Sequence, residues 1–174
     1  MLEIEIKAYC TDLIPVIKRI TELGGRETKR QIEIDQYFNH PDHDFRKTDE
    51  ALRIRTHGQN HVLTYKGPKI SANSKARFEQ ETKISSPEEM TIILEKLGYM
   101  RSGIVEKSRI YFRLNEVEIC CDNINGLGSF VELEIQGDDL EISEQKLFQL
   151  AVLLRLDRFE KRSYLELLAL SNKL

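Results

Sequence analysis

No stretch of this chain approaches the roughly 20 consecutive apolar residues that a membrane-spanning helix needs. Its opening residues, MLEIEIK, are too charged for the apolar core of a secretory signal. A cytoplasmic protein without a membrane partner is therefore expected. There is no surplus of one charge either: 26 Lys and Arg face 29 Asp and Glu, a net of −3. Without a global field to attract nucleic acid, no nucleic-acid partner is expected, and any bound anion must be held by a local cluster. Cysteine is sparse: Cys10, Cys120 and Cys121 are an odd number with two adjacent and no CxxC pair. That argues against a disulfide framework. Neighbouring strand residues point to opposite faces, so core packing is the reading for Cys120 and Cys121 rather than zinc. There is no P-loop, GxGxxG or nucleophile elbow, and Gly24-Gly25 falls at a helix end. No repeat, linker or low-complexity tract divides the chain, and 174 residues, 40% of them hydrophobic, suit one domain spanning 1–174.

What is present is alternation. Residues 2–9, LEIEIKAY, alternate apolar and charged with the period of a strand. TDLIPVIKRITELGG follows as an amphipathic helix, with Thr11 or Asp12 as its cap and Gly24 or Gly25 as its stop. Strands are expected over 26–38 and 51–56, separated by the polar loop NHPDHDFRKTDE, whose proline and turn formers favour an exposed loop over a metal cluster. HVLTYKG and RFEQETKI give two more strands around PKISANSK, which reads as flexible. In SPEEMTIILEKLGY a serine cap, a proline at the first helical position, early acidic residues and a closing glycine predict a second helix. VEKSRIYFRL, EVEICCDNI and SFVELEIQ complete about eight strands, and 143–156 and 161–170 read as two further helices.

The expectation for an antiparallel sheet is apolar side in, charged side to water. Here the helices also need an apolar surface to cover, and the Leu, Ile, Val and Phe faces of the strands are the available one. With helices outside, the charged faces must turn toward one another, and eight antiparallel strands suffice for a closed barrel with one ligand inside. The charges keep strict i, i+2 spacing: Glu3, Glu5 and Lys7; Arg53 and Arg55; Arg77, Glu79, Glu81 and Lys83; Lys107, Arg109 and Arg113; Glu118 and Asp122; Glu132 and Glu134. Two like charges so spaced lie roughly 6.6 Å apart and repel by about 2.5 kcal/mol at an effective dielectric near 20. Enclosed, acidic pairs need a hard divalent cation and basic pairs a polyanion.

These residues resemble the CYTH superfamily, the triphosphate tunnel metalloenzymes, which include class IV adenylyl cyclases, thiamine triphosphatases, inorganic triphosphatases and fungal RNA triphosphatases. Glu3-Ile-Glu5-Ile-Lys7 matches the ExExK signature. The match continues through Leu52-Arg53-Ile54-Arg55, Leu63-Thr64-Tyr65-Lys66-Gly67-Pro68, Arg77-Phe78-Glu79-Gln80-Glu81 and Lys107-Ser108-Arg109. It ends with GLGSFVELE at 126–134 and Lys161-Arg162-Ser163-Tyr164. The resemblance implies an α+β fold: a closed eight-stranded antiparallel β-barrel, the triphosphate tunnel, with amphipathic helices packed on its outside. It further implies Mg²⁺ or Mn²⁺ on Glu3, Glu5, Glu132, Glu134 and Asp122, assisted by Glu79 and Glu81. Lys7, Arg53, Arg55, Lys66, Lys107, Arg109 and Lys161 would clamp the triphosphate.

TYKGP and GLGSFVELE most resemble the class IV cyclase branch, so conversion of ATP to cyclic AMP and pyrophosphate is the first reading. Hydrolysis of thiamine triphosphate or tripolyphosphate on the same tunnel is the second, and a non-catalytic polyphosphate- or nucleotide-binding module the third. Carboxylates facing an anion have no use without a metal between them, which favours the enzyme readings. A lysine with a depressed pKa, Lys66 or Lys161, is the candidate general base. His57 and His61 flank a turn and read as solvated, and the hydroxyls of Tyr37, Tyr65 and Tyr164 are within conceivable reach of a ligand. The superfamily is often dimeric, so a homodimer is compatible with the chain.

Overall fold

A computed structural model describes residues 2–171. Eight antiparallel strands form one curled sheet: β1 (Leu2–Cys10), β2 (Arg26–Asn39), β3 (Ala51–His57), β4 (Asn60–Lys66), β5 (Glu79–Ile84), β6 (Met100–Leu114), β7 (Val117–Ile124) and β8 (Gly128–Gly137). Their order is β1-β8-β7-β6-β2-β3-β4-β5. Five helices accompany them: α1 (Leu13–Glu22), α2 (Phe45–Thr48), α3 (Pro87–Lys96), α4 (Leu140–Leu153) and α5 (Tyr164–Leu170). Among the described residues no helix is long and apolar enough to cross a membrane.

The inversion expected from the alternation is present. Ile4, Ile6 and Ala8 of β1, Val131, Leu133 and Ile135 of β8, and Ile119 and Cys121 of β7 pack outward against Val16 and Ile20 of α1 and Leu147, Leu150 and Ala151 of α4. Leu94 of α3 covers Phe38, Leu52 and Ile54 on the other side. The helices start where side-chain caps permit: Asp12 accepts from the Ile14 amide, and Ser86 from the Glu89 amide ahead of Pro87.

Four expectations need correction. The sheet is a half-barrel, open between β1 and β5, and not a closed barrel. The free edge of β1 is taken by two connecting segments. The Lys75 amide donates to the Glu5 carbonyl at 2.8 Å, and an isolated bridge joins Glu3 to Arg77. Further along, the Tyr9 amide donates to the Arg158 carbonyl at 2.9 Å and the Glu160 amide to the Lys7 carbonyl at 2.8 Å. With its outward amides and carbonyls satisfied by loops, β1 has no ladder left to offer β5. PKISANSK, second, is anchored at its C-terminal end, where Ser74 and Lys75 are buried and the Ile70 amide donates to the carbonyl of the following Ala76. Third, the last helix begins at Tyr164, behind a capping box of Ser163 and Glu166, and not at 161. Fourth, this α5 packs inside. Tyr37, Val105, Ile124 and Phe130 share the inward parity of the charged residues and form an apolar end with Tyr164, Leu167 and Leu168. The curled sheet is thus ionic along most of its inner face and sealed by α5 at one end.

Most of the stability lies in the outer apolar layer. Leu147 of α4 is fully buried against the β1–β8 face. Leu147→Ala is expected to cost about 2–5 kcal/mol in denaturant unfolding, because the rigid sheet beneath cannot collapse into the vacated space.

Candidate functional site

The inner faces enclose a cavity of about 310 Å³ whose wall is predominantly charged. Its positive side comes from the two strands that flank β2. Arg53 and Arg55 of β3 stand beside Lys107 and Arg109 of β6, with β2 between them. Two acidic residues of β2 fix these cations. Arg55 forks onto Asp35 with bonds of 2.7 and 2.8 Å, and Lys107 Nζ lies 2.8 Å from Asp35 and 3.2 Å from Glu33. Burial would raise the Asp35 carboxyl, but Arg55, Lys107 and Arg53 hold it well below the usual carboxylate range. Glu33 is lowered in the same way by Arg55, Arg109 and Lys107 against its own burial, and it accepts from the Tyr111 hydroxyl. The basic groups therefore reach the cavity already aimed and charged.

The negative side lies on β1, β8 and β7. Pairing sets Glu5 opposite Glu134 and Glu134 opposite Glu118, a row of like charges across three strands, with Glu3 two residues along. Burial, then Glu3 and Glu5, push the Glu134 carboxyl up to about 8. Burial also raises Glu3, although Lys66 opposes it. Glu132 differs: Arg109, Lys75 and Lys7 outweigh its burial and keep it well below the ordinary value. Among the described residues no three His, Cys, Asp or Glu side chains converge in a metal-ligating arrangement. By donor chemistry, the carboxylate oxygens of Glu3, Glu5, Glu134 and Glu118 would suit Mg²⁺ or Mn²⁺; Glu3 and Glu5 already carry the ammonium groups of Lys66 and Lys75, whereas Glu134 stands among like charges.

The structure brings most of the anticipated residues to one cavity: Glu3, Glu5, Lys7, Arg53, Arg55, Lys66, Glu79, Glu81, Lys107, Arg109, Glu132 and Glu134 line it. Glu81 sits exposed at the rim, accepting from the Thr64 hydroxyl at 2.8 Å. Glu79 contacts Lys66 and lies 3.9 Å from Arg53. Three placements differ from expectation. Asp122 is fully buried, with Arg109 Nε at 2.6 Å on one oxygen and the Tyr164 hydroxyl at 2.7 Å on the other. It supports Arg109 from behind instead of facing the cavity. Lys161 is exposed and donates to the Ala72 carbonyl away from the wall, because it precedes α5 in an extended segment. Lys66 is not a depressed lysine. Burial and Arg53 lower it, but Glu3, Glu79 and Glu5 prevail and keep it an ammonium. The lowered lysine is Lys7, through burial and the nearby Lys75 ammonium. Lys7 donates to the Arg162 carbonyl at 2.5 Å and lies 4.0 Å from the Tyr164 ring centroid.

Several residues of the wall, or buried directly behind it, carry no assignment from the sequence. Glu33 and Asp35 keep the same i, i+2 spacing as the other sets, so their signal was available. His57, half-buried at the end of β3 beside the turn, also lines the cavity and is lowered by burial and Lys29. Lys75 reaches the cavity from PKISANSK, where composition hides it.

A family model described as CYTH domain matches residues 1–164. The chain belongs to the CYTH domain family. It is 39% identical over 172 residues to a Methanocaldococcus jannaschii protein provisionally named an adenylate cyclase, covering 96% of this chain and 98% of that one. It is 30% identical over 139 residues to adenylate cyclase CyaB of Aeromonas hydrophila, covering 76% and 70% respectively. A solved structure from Pyrococcus horikoshii, 35% identical, superimposes with a TM-score of 0.90 over 97% of this chain and 99% of that one.

Two predictions separate support from binding. Asp122→Asn should lower the melting temperature by the several degrees expected of about 2–4 kcal/mol, since it weakens a buried pair, and leave Mn²⁺ affinity unchanged. Lost Mn²⁺ binding with intact stability would return Asp122 to the ligand set. For Glu134, the folded protein keeps its proton to about pH 8, whereas the unfolded chain releases it near 4.5. The associated stability is complete below 4.5 and is lost as pH rises to about 8. Glu134→Gln should therefore stabilise the metal-free protein at pH 8 by about 1–2 kcal/mol, discounted for its partial exposure, and have little effect at pH 4.5. Melting curves at the two pH values check this, and an equal shift at both would sink it.

Proposed function

We propose that this chain is a metal-dependent enzyme acting on a triphosphate, with ATP converted to cyclic AMP and pyrophosphate as the first reading. The observation that carries it is the opposition of two walls in one cavity: a basic one neutralised in advance by Glu33 and Asp35, and an acidic one in surplus at Glu134. Arg53, Arg55, Lys107 and Arg109 would bind the phosphoryl oxygens, on which charge builds during phosphoryl or nucleotidyl transfer. Glu5 and Glu134, with Glu3 and Glu118, would hold Mg²⁺ or Mn²⁺, which neutralises phosphate charge when bound. Lys66, kept charged between Glu3 and Glu79, would hold a phosphate oxygen beside that acidic row. In the cyclase reaction the ribose 3′-hydroxyl attacks the α-phosphorus and pyrophosphate leaves. The names of the relatives from M. jannaschii and A. hydrophila support this choice.

Hydrolysis of tripolyphosphate or thiamine triphosphate is the second reading, and one observation favours it. Charged side chains outnumber the apolar and aromatic ones on the cavity wall, Ala51, Val62, Tyr37, Tyr111 and Tyr164, so most contacts would fall on phosphate oxygens and not on a base.

Purified protein would be incubated with Mg²⁺ or Mn²⁺ and, separately, ATP, thiamine triphosphate and tripolyphosphate, and the products resolved by chromatography. Cyclic AMP with pyrophosphate is the expected result, reduced by about a hundredfold or more in Glu5→Gln and Glu134→Gln. Orthophosphate release, lost in the same variants, would establish the hydrolase. Binding without turnover of any of the three would leave a polyphosphate- or nucleotide-binding module.

A further inference from the structure

Lys75 lies on the connection ahead of β5 and not on a strand, yet it is buried and its ammonium enters the acidic wall. Nζ lies 2.6 Å from Glu5 Oε1 and 3.7 Å from Glu132 Oε1. The backbone behind it is held independently. Its amide donates to the Glu5 carbonyl at 2.8 Å, and Ile70 donates to Ala76 at 2.8 Å. The segment that crosses the open edge of the half-barrel thus delivers one cation onto the carboxylates that the functional reading assigns to the metal.

Two arginines of the cavity are held differently. Arg109 forks onto Asp122 behind the wall, and Arg55 forks onto Asp35, planar pairings that fix the guanidinium. Lys75 has a flexible four-carbon stem and one close carboxylate, so its ammonium is held by a point contact and not by a planar fork. A divalent ion on Glu5 and the Lys75 ammonium cannot share that carboxylate without close like-charge repulsion. The cavity, however, offers the displaced ammonium an anionic partner whenever a polyphosphate is present.

We propose that Lys75 is a tethered counter-cation of the acidic wall. It neutralises Glu5 and Glu132 until a divalent ion takes Glu5, and its ammonium then swings to a phosphate oxygen of the substrate. Lys75 is on this account a positioning residue for metal loading and a substrate contact afterwards. The inference rests on the metal-dependent reading above. It also gives the open edge a purpose, because the residue that exchanges partners sits on a connecting segment and not within a hydrogen-bonded ladder.

The test is Mn²⁺ titration of nucleotide-free protein, followed by calorimetry or by the loss of the free-ion paramagnetic resonance signal. Lys75→Met and Lys75→Gln remove the competing ammonium, so both should bind Mn²⁺ about tenfold more tightly, within the usual range of coupling between neighbouring sites. Both should bind tripolyphosphate about tenfold more weakly at saturating Mg²⁺, for want of the substrate contact. A merely structural lysine would not move the two affinities in opposite directions. If the wild-type protein binds Mn²⁺ and the variants bind it equally or less well, this inference is wrong and the functional reading stands. If the wild-type protein binds neither Mn²⁺ nor Mg²⁺, the functional reading itself fails. Should both variants misfold, the Lys75 ammonium resonance of ¹⁵N-labelled wild-type protein decides: it shifts on saturation with Mg²⁺ if the pair is broken, and an unmoved resonance overturns the proposal.

Discussion

The pairing of Asp35 with Arg55 and Lys107 is the constraint on which the rest of the structure depends. A sheet that turns its charged face inward must neutralise each charge against another, because water inside a narrow cleft cannot solvate them all. Asp35 is fully buried and holds both cations at hydrogen-bond distance, one from β3 and one from β6. Without it, cationic side chains of adjacent strands would repel across β2, and the curl that brings them together would be unfavourable. Such pairs recover desolvation cost and add little net stability. The favourable term must come from the other side of the sheet, where α1 and α4 cover Ile4, Ile6, Leu133 and Ile135.

The compensation is uneven, and the unevenness gives the cavity its chemistry. The basic side has more acid behind it than aiming alone requires, since Glu33 and Asp35 both serve it and both are held ionised. On the acidic side, Glu134 faces Glu5 and Glu118 in direct register and is pushed toward its neutral form. Electrostatic stress therefore collects at one end of the cleft, where one more positive charge relieves it. A site organised in this way spends little reorganisation energy when a polyanion and a cation arrive together.

Much of this was legible in residue order. Period-two charge patterns on six segments, beside helices that needed the apolar faces, were enough to turn the sheet inside out. The caps at Asp12 and Ser86 were equally readable, because capping is a local property. Closure was not readable. Whether β1 pairs with β5 or with loops depends on where the Lys75 and Glu160 amides end up, and those segments have no periodicity. PKISANSK has a composition that suits a mobile loop, and only tertiary contact shows that its lysine is buried. Two features were visible but easily passed over. Glu33 and Asp35 carry the same spacing as the assigned sets, and Ser163-x-x-Glu166 marks the start of α5 and so leaves Lys161 outside it.

The position of α5 ties the site to completion of the fold. Tyr164, its first residue, donates to Asp122 of β7 at 2.7 Å, and its ring lies 4.0 Å from Lys7 Nζ and 5.7 Å from Lys107 Nζ. One side chain near the C-terminus thus touches the support of Arg109 and two cations of the cleft, which come from the first and sixth strands. Lys7 in turn donates to the carbonyl of Arg162, just before the helix. Contacts this distant in sequence cannot form until the sheet has curled and the final helix has docked. Loosening α5 would disturb both the aim of Arg109 and the surroundings of Lys7. Positioning of these two cations is therefore tied to docking of the last helix, whereas the Asp35–Arg55, Glu3–Lys66 and Glu5–Lys75 pairs are made within the first half of the chain.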